Sequence, residues 1–305
     1  MKATTTLCVA LLATLLGGCP DKDKHESIEL TRKGVDSFNH ESWDRAIQHF
    51  KDAVHKHPGN HQAWYSMGEV HAKQEDWKEA AEAYQEAVKH SSSDAMYHLR
   101  LGISLYELEL AEKDKQKRQT MGDLSRAEAA LTEAVKLNKD LYKAHWYLGR
   151  IYRDTDKPKQ AAEAWTTACR LNPHYGPPFA ALGQLYVHWD KLDEAIRVLT
   201  QGQQYVDDQQ EKSEIYYLLG LAYDGKARLS PGEEKAFLDK SVDAYTKSLA
   251  LRADNVNAKL QRGIAYAKKG DKSKAQADLD DYLKRGAGTQ FERQEATKAL
   301  YSLSL

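Results

Sequence analysis

A glycine returns through this chain on a fixed beat. Gly34, Gly68, Gly102, Gly149, Gly183, Gly220 and Gly263 stand 34, 34, 47, 34, 37 and 43 residues apart. Three intervals equal the 34-residue period and three carry insertions. A unit of this length holds two short helices and a turn. Alone it cannot bury its apolar side, so copies must stack to build a shared core. Such an array consumes nearly the whole chain as one surface and leaves little room for an enzyme.

The glycine is the eighth residue of each block, and the places around it repeat their residue types. The fourth block carries Leu148-Gly149, Tyr152, Ala161, Trp165, Ala168 and Pro173; the second carries Trp64, Met67-Gly68, Ala80, Tyr84 and Ala87. This register resembles the tetratricopeptide (TPR) repeat. Gly at position 8 and Ala at position 20 let two antiparallel helices approach closely, while large residues at positions 4, 11 and 24 fill the gap to the next pair. Proline near the end stops the second helix, because it has no N–H to donate. The resemblance implies an all-α, right-handed TPR solenoid of about seven repeats: 27–60, 61–94, 95–141, 142–175, 176–212, 213–255 and 256–289. A final helix over 290–305, apolar at Phe291, Ala299, Leu300 and Leu303, is expected to cap the open end.

Three places strain the pattern. The third block holds thirteen extra residues within Glu107–Arg126, and the sixth holds nine within Gly225–Lys240. Both fall between the two helices of a repeat and so lengthen its turn, either as surface decoration or as a rim contact for a second partner. Ser230-Pro231-Gly232-Glu233 has the spelling of a capping box with proline at the first helical position, so the second insertion is expected to extend a helix. Gly202 occupies an alanine site inside a helix, at a propensity cost of about 0.8–1 kcal/mol. Either the neighbouring repeat packs unusually close there or the array bends.

The first 18 residues stand outside the repeats. Lys2 precedes an apolar run from Leu7 to Leu16, too short to span a bilayer, and Leu16-Gly17-Gly18-Cys19 follows. That ending resembles the lipobox of bacterial lipoproteins, which implies that 1–18 is a signal peptide and that Cys19 is lipidated; an ordinary secretory signal is the other reading. Residues 19–26 are then expected to be a lipidated polar tether. Several acyl chains together anchor firmly where one does not. Pro20, in the place where aspartate favours inner-membrane retention in enteric bacteria, leans the resemblance towards the outer membrane, facing the periplasm.

With Cys8 in the leader and Cys19 lipidated, Cys169 is left alone, so no intramolecular disulfide is expected. Charged residues make up 29% of the chain and nearly cancel, to −1, which argues against nucleic acid and against a polybasic membrane patch. No phosphate loop, His-Glu-x-x-His or paired-Cys spacing occurs, so no catalytic residue, cofactor or metal site is expected. His55, His57 and His61 surround Pro58-Gly59 and read as solvated turn histidines.

In TPR proteins the first helix of each repeat lines the concave face through positions 2, 5, 9, 12 and 13. Carried onto this chain, the rule places a partner-binding groove at Tyr65, Glu69, Leu99, Ile103, Tyr106, Trp146, Arg150, Arg153, Gln184, Tyr217 and Leu221. Trp146, Arg150 and Arg153 share one helix face and belong to the residue types enriched in binding hot spots. Two readings fit them: a hot spot for an acidic peptide or chain terminus, or a packed Trp with arginines in surface ion pairs. The carboxylate clamp of chaperone-binding TPR domains is missing, since Thr31 and Val35 stand where it needs Lys and Asn. The expected function is a scaffold or assembly factor of the bacterial envelope, tethered to the membrane through Cys19 and holding a peptide or helix of another envelope protein. In plan it resembles the TPR lipoproteins that assist pilus secretin assembly or dock cell-wall hydrolases. The alternative is a glycan or peptidoglycan module using the groove aromatics.

Overall fold

The computed structural model describes residues 22–286 and 288–303. All regular structure among them is helical. The chain divides into two compact units at Lys157/Pro158. The first contains α1 (Lys22–Asn39), α2 (Trp43–Lys56), α3 (His61–Lys73), α4 (Trp77–His90), α5 (Ala95–Lys115), α6 (Ser125–Leu137) and α7 (Tyr142–Asp154). The second contains α8 (Pro158–Leu171), α9 (Pro177–His188), α10 (Leu192–Tyr205), α11 (Gln209–Leu229), α12 (Glu234–Leu251), α13 (Val256–Lys268), α14 (Lys272–Lys284) and α15 (Gln290–Ser302). A 3-10 turn, Pro231–Glu233, joins α11 to α12.

The repeating glycine earns its place by contact. A Cβ on Gly68 would lie 2.7 Å from the Tyr84 ring, and one on Gly102 would lie 2.6 Å from Leu131. Gly34 meets Phe50, Gly183 meets Leu199 and Gly220 meets Tyr245 in the same way. Each large partner projects from the second helix of the same repeat and is fully buried. Gly202 answers the question left by the sequence: its Cβ would stand 2.9 Å from the Phe179 Cβ and 3.0 Å from Ile215, so α9 and α11 crowd α10 there.

The turn inside a repeat has its own signature. Glu41, Glu75, Asp156 and Asp190 adopt positive φ (55–62°), and Gly270 does so at 79°. Each is followed by an N–H that reaches back five residues to the helix end, as Asp76 does to the His71 carbonyl at 2.9 Å. The long third repeat keeps this signature, with the Arg118 N–H on the Lys113 carbonyl at 2.9 Å, but sets it further out. α5 runs 21 residues where α3 runs 13, projecting about 12 Å further before Lys117 takes the left-handed conformation.

First helices touch one another through the pairs α1–α3 and α5–α7 in the first unit, and α9–α11, α11–α13 and α13–α15 in the second. Second helices do not approach one another comparably. Within each unit the first helices therefore line the inner side. The terminal α15 seals the last repeat: Leu260, Leu279, Tyr282 and Ala296 form one buried cluster. A true capping box starts it, with Thr289 and Glu292 bonding each other's backbone N–H.

Two expectations change. Residues 22–26, assigned to a tether, are the first turns of α1, where Ser27 is buried and bonded to the Ala53 carbonyl at 2.7 Å. Ser230 makes no side-chain cap bond, so its spelling does not produce a capping box; the insertion does extend helices, lengthening α11 and α12 on either side of the 3-10 turn. The leader, Cys19 and the start of the tether lie outside the described residues.

Candidate partner-binding site

The inner side of the first unit is built by α3, α5 and α7. On α3, Asn60 caps the helix with its side-chain oxygen on the Ala63 N–H, while its amide reaches back to Ser27 and Thr31 at 2.8 and 3.0 Å. The cap satisfies a free N–H at the helix start, and the amide bonds fix the helix against the preceding repeat. One turn on, Tyr65 stacks on Tyr97 of α5 with ring centroids 4.9 Å apart. The Tyr97 hydroxyl meets His61 Nδ1 at 2.8 Å.

Glu69 is the hub of this half. It accepts from the Tyr84 hydroxyl at 2.5 Å and pairs with Arg100 Nε at 2.8 Å. Burial alone lowers the Arg100 pKa, but Glu69 and then Tyr65 and Tyr84 outweigh it and hold the guanidinium proton above the ordinary arginine value. Tyr65 is pushed up, first by burial and next by the Glu69 charge.

A second knot joins α5 to α7. Glu107 accepts from Tyr147 at 2.8 Å and from Arg150 at 2.9 Å. The Arg150 guanidinium lies 4.4 Å from the centre of the Tyr106 ring and 5.0 Å from that of Tyr147. Tyr106 in turn donates to Asp154 at 2.6 Å, and burial with this bond pushes its pKa up to about 12. Arg153 is exposed and closes the series on Asp154 at 2.8 Å.

These contacts sort the expected site residues. Tyr65, Glu69, Ile103, Trp146 and Arg150 are partly exposed on the inner side of the first unit, and Arg153 is exposed there. Leu99 and Tyr106 are not available: they are 3% and 0% exposed, because positions 5 and 12 of α5 turn into the seam where neighbouring helices meet. Both arginines are in ion pairs, as the second sequence reading held, while Arg150 also has the aromatic neighbours of the first. Arg100, Tyr97, Tyr147 and Glu107 went unmarked, and they carry most of the geometry. Arg100 and Tyr147 both stand at position 6, outside the transferred rule.

In the second unit Gln184 is exposed, while Tyr217 and Leu221 are partly buried. Tyr217 packs against Tyr245 at 6.1 Å, and burial followed by Glu214 pushes it up to about 12. Asp224 accepts from Tyr245 at 2.8 Å and is pushed up by burial. Glu214 is raised by burial as well, with Arg252 opposing. Among the described residues no group of three His, Cys, Asp or Glu is placed to hold a metal. Cys169 is buried, and burial pushes its thiol up to about 12, unsuited to nucleophilic work.

The tetratricopeptide repeat is found in this chain by family models at 31–95, 66–113 and 142–175. Among curated proteins, superkiller complex protein 3 of Mus musculus is 26% identical over 173 residues, covering 56% of this chain. That match spans only 10% of the relative's length. Among solved structures, pilF of Pseudomonas aeruginosa is similar with a TM-score of 0.56 at 17% identity, covering 78% of this chain and 97% of its own. A tetratricopeptide repeat protein of Parabacteroides merdae gives 0.55 at 15% identity, covering 92% and 100%. At such identities the likeness establishes the fold, an all-α TPR solenoid. Proteins built of this repeat generally mediate protein–protein interaction.

Proposed function

We propose that this chain is a scaffold or assembly factor of the bacterial cell envelope, holding a peptide or helix of another envelope protein on its inner helices. One observation carries the reading. On α3, α5 and α7 the partly exposed polar and aromatic side chains are already fixed by bonds that cross from repeat to repeat, notably Glu69 to Arg100 and Glu107 to Arg150. A surface ordered before its partner arrives loses less side-chain freedom on binding, which favours affinity.

The membrane part of the proposal rests on the leader spelling and Cys19. Among the described residues no helix is long and apolar enough to cross a membrane, so within them the anchor has no competitor. A peptide is favoured over a glycan because the aromatic planes a sugar would stack on are engaged: Tyr65 lies on Tyr97, and Tyr106 lies under Arg150.

Two experiments test the two parts. Envelope proteins co-purifying with the wild type are compared with those held by Ile103→Arg, after equal helical circular dichroism is shown. Loss of a specific protein supports the inner site; equal retention moves it elsewhere, and retention of sacculi in place of a protein turns the reading to a glycan module. For the anchor, Cys19→Ser is expected to leave the membrane fraction after a salt wash. If it stays, the lipid assignment is wrong.

A further inference from the structure

The second unit holds seven arginines. Arg228, Arg252, Arg262 and Arg285 pair with aspartates, and Arg293 donates to the Gly286 carbonyl at 3.2 Å. Among the described residues, Arg170 on α8 and Arg197 on α10 have neither an ion pair nor a side-chain hydrogen bond. Both line one recess of about 320 Å³ between these two second helices, apart from the inner side. Leu182, Val198 and Pro173 give it an apolar wall, with Tyr186 beside them, and Gln201 adds a polar edge. Among the described residues no carboxylate lines it. Other recesses mix their charges: one sets Asp224 and Glu234 with Arg228 and Lys268, and another sets Glu79 and Glu82 with Lys51 and Lys78. The two arginines without a counter-ion thus meet at a single place.

We propose that this recess takes the C-terminal carboxylate of a peptide whose last side chain is apolar. A guanidinium presents a planar fork of N–H donors that matches a carboxylate, and such charge-assisted bonds are the strong kind. The apolar wall asks for an apolar group on the same ligand, which a bare inorganic anion lacks. The volume lies near the lower bound of ligand pockets, about 300–1,000 Å³, so it admits one side chain with its carboxylate and no longer segment. Arg170, Arg197 and Gln201 are exposed at its mouth, where the rest of the peptide leaves. The Gln201 amide makes no bond among the described residues and is placed for the peptide backbone. This site is separate from the inner-side function above and gives the chain a second contact, one that reads a chain end.

The test is a selection of random peptides displayed with free C-termini, run in parallel on the purified chain and on the double variant Arg170→Gln, Arg197→Gln, once equal circular dichroism is shown. The expected result is a wild-type pool sharing an apolar last residue, absent from the variant pool. A synthetic peptide from that pool should bind the wild type about tenfold tighter as the free acid than as the C-terminal amide. The double variant should lose this advantage, and Lys159→Gln, exposed on the same α8, should keep it. Identical pools, equal binding of acid and amide, or an advantage that survives the double variant overturns the proposal. Isocaproate that displaces the peptide as well as the peptide displaces itself assigns the recess to a free acid and overturns the chain-end reading. The inner-side proposal is read separately, from Ile103→Arg, so its failure and this one are distinguishable.

Discussion

In the unit ending at Lys157, inner helices of successive repeats are tied by ion pairs, Glu69 to Arg100 and Glu107 to Arg150. In the unit beginning at Pro158 the ion pairs between repeats lie at helix ends and turns, as Lys226 to Asp193 and Arg228 to Asp190, while its inner helices are held by packing and buried hydroxyls. Phe179 and Ile215 crowd Gly202, and within the sixth repeat Ser213 bonds the Ser248 carbonyl and hydroxyl at 3.0 Å each. Asn255, capping α13, reaches the same Ser248 at 3.1 Å. The residual charge differs too. Burial lowers the Lys143 pKa in the first unit and raises the carboxylates Glu214 and Asp224 in the second. One repeat pattern thus builds two kinds of inner seam: one tied by partly exposed ion pairs, the other by packing and closed at its end by α15.

If that contrast is right, apolar truncation should hurt the second unit most. Leu199→Ala is expected to lower stability by about 2–5 kcal/mol, seen in the urea midpoint, with hydrogen exchange rising in α9–α11. Equal loosening of α3 and α5 would erase the distinction. The corresponding cut in the first unit is Arg150→Ala, which strands Glu107 and should cost about 1.5–3 kcal/mol. Arg150→Lys should recover little, because lysine lacks the flat group that lies on Tyr106 and Tyr147; full recovery would reduce the knot to simple charge.

Gly202→Ala sharpens the packing side. Overpacking of about 1–3 kcal/mol works against about 0.8–1 kcal/mol of gained helix propensity, for an expected net loss near 1 kcal/mol. A rise in melting temperature would mean slack between α9 and α11. The smallest effect concerns the dry carboxylate. Because the Asp224 pKa is raised in the fold, the folded state binds its proton more tightly than the unfolded chain. Its contribution is therefore fully present below the unfolded pKa of about 4 and is lost as pH rises through the folded value. Asp224→Asn should thus gain about 1 kcal/mol or less at pH 7, and the gain should vanish near pH 4. A gain that persists at pH 4 would assign the effect to something other than charge.

Much of this fold is spelled openly. A position that admits no Cβ must be glycine in every repeat, so Gly34 to Gly263 set the register without help from tertiary structure. The left-handed turn residues are hidden, because Glu41, Glu75, Asp156 and Asp190 hold a conformation that only Gly270 advertises. The site was legible by helix but not by residue. Glu69 and Arg100 meet across 31 positions, a pairing no helix-face rule contains. Leu99 and Tyr106 satisfy the rule and are nevertheless sealed, since the rule carries a face over and takes no account of where α5 meets α7.

The most direct test of partner holding by the first unit is site-specific photo-crosslinking in intact cells. A benzophenone amino acid is placed at Ile103, on the inner side, and separately at Glu82, exposed on the second helix α4. A discrete protein adduct from position 103 and none from position 82 is the predicted result. An adduct only from position 82 would put the partner on the outer helices and contradict the account.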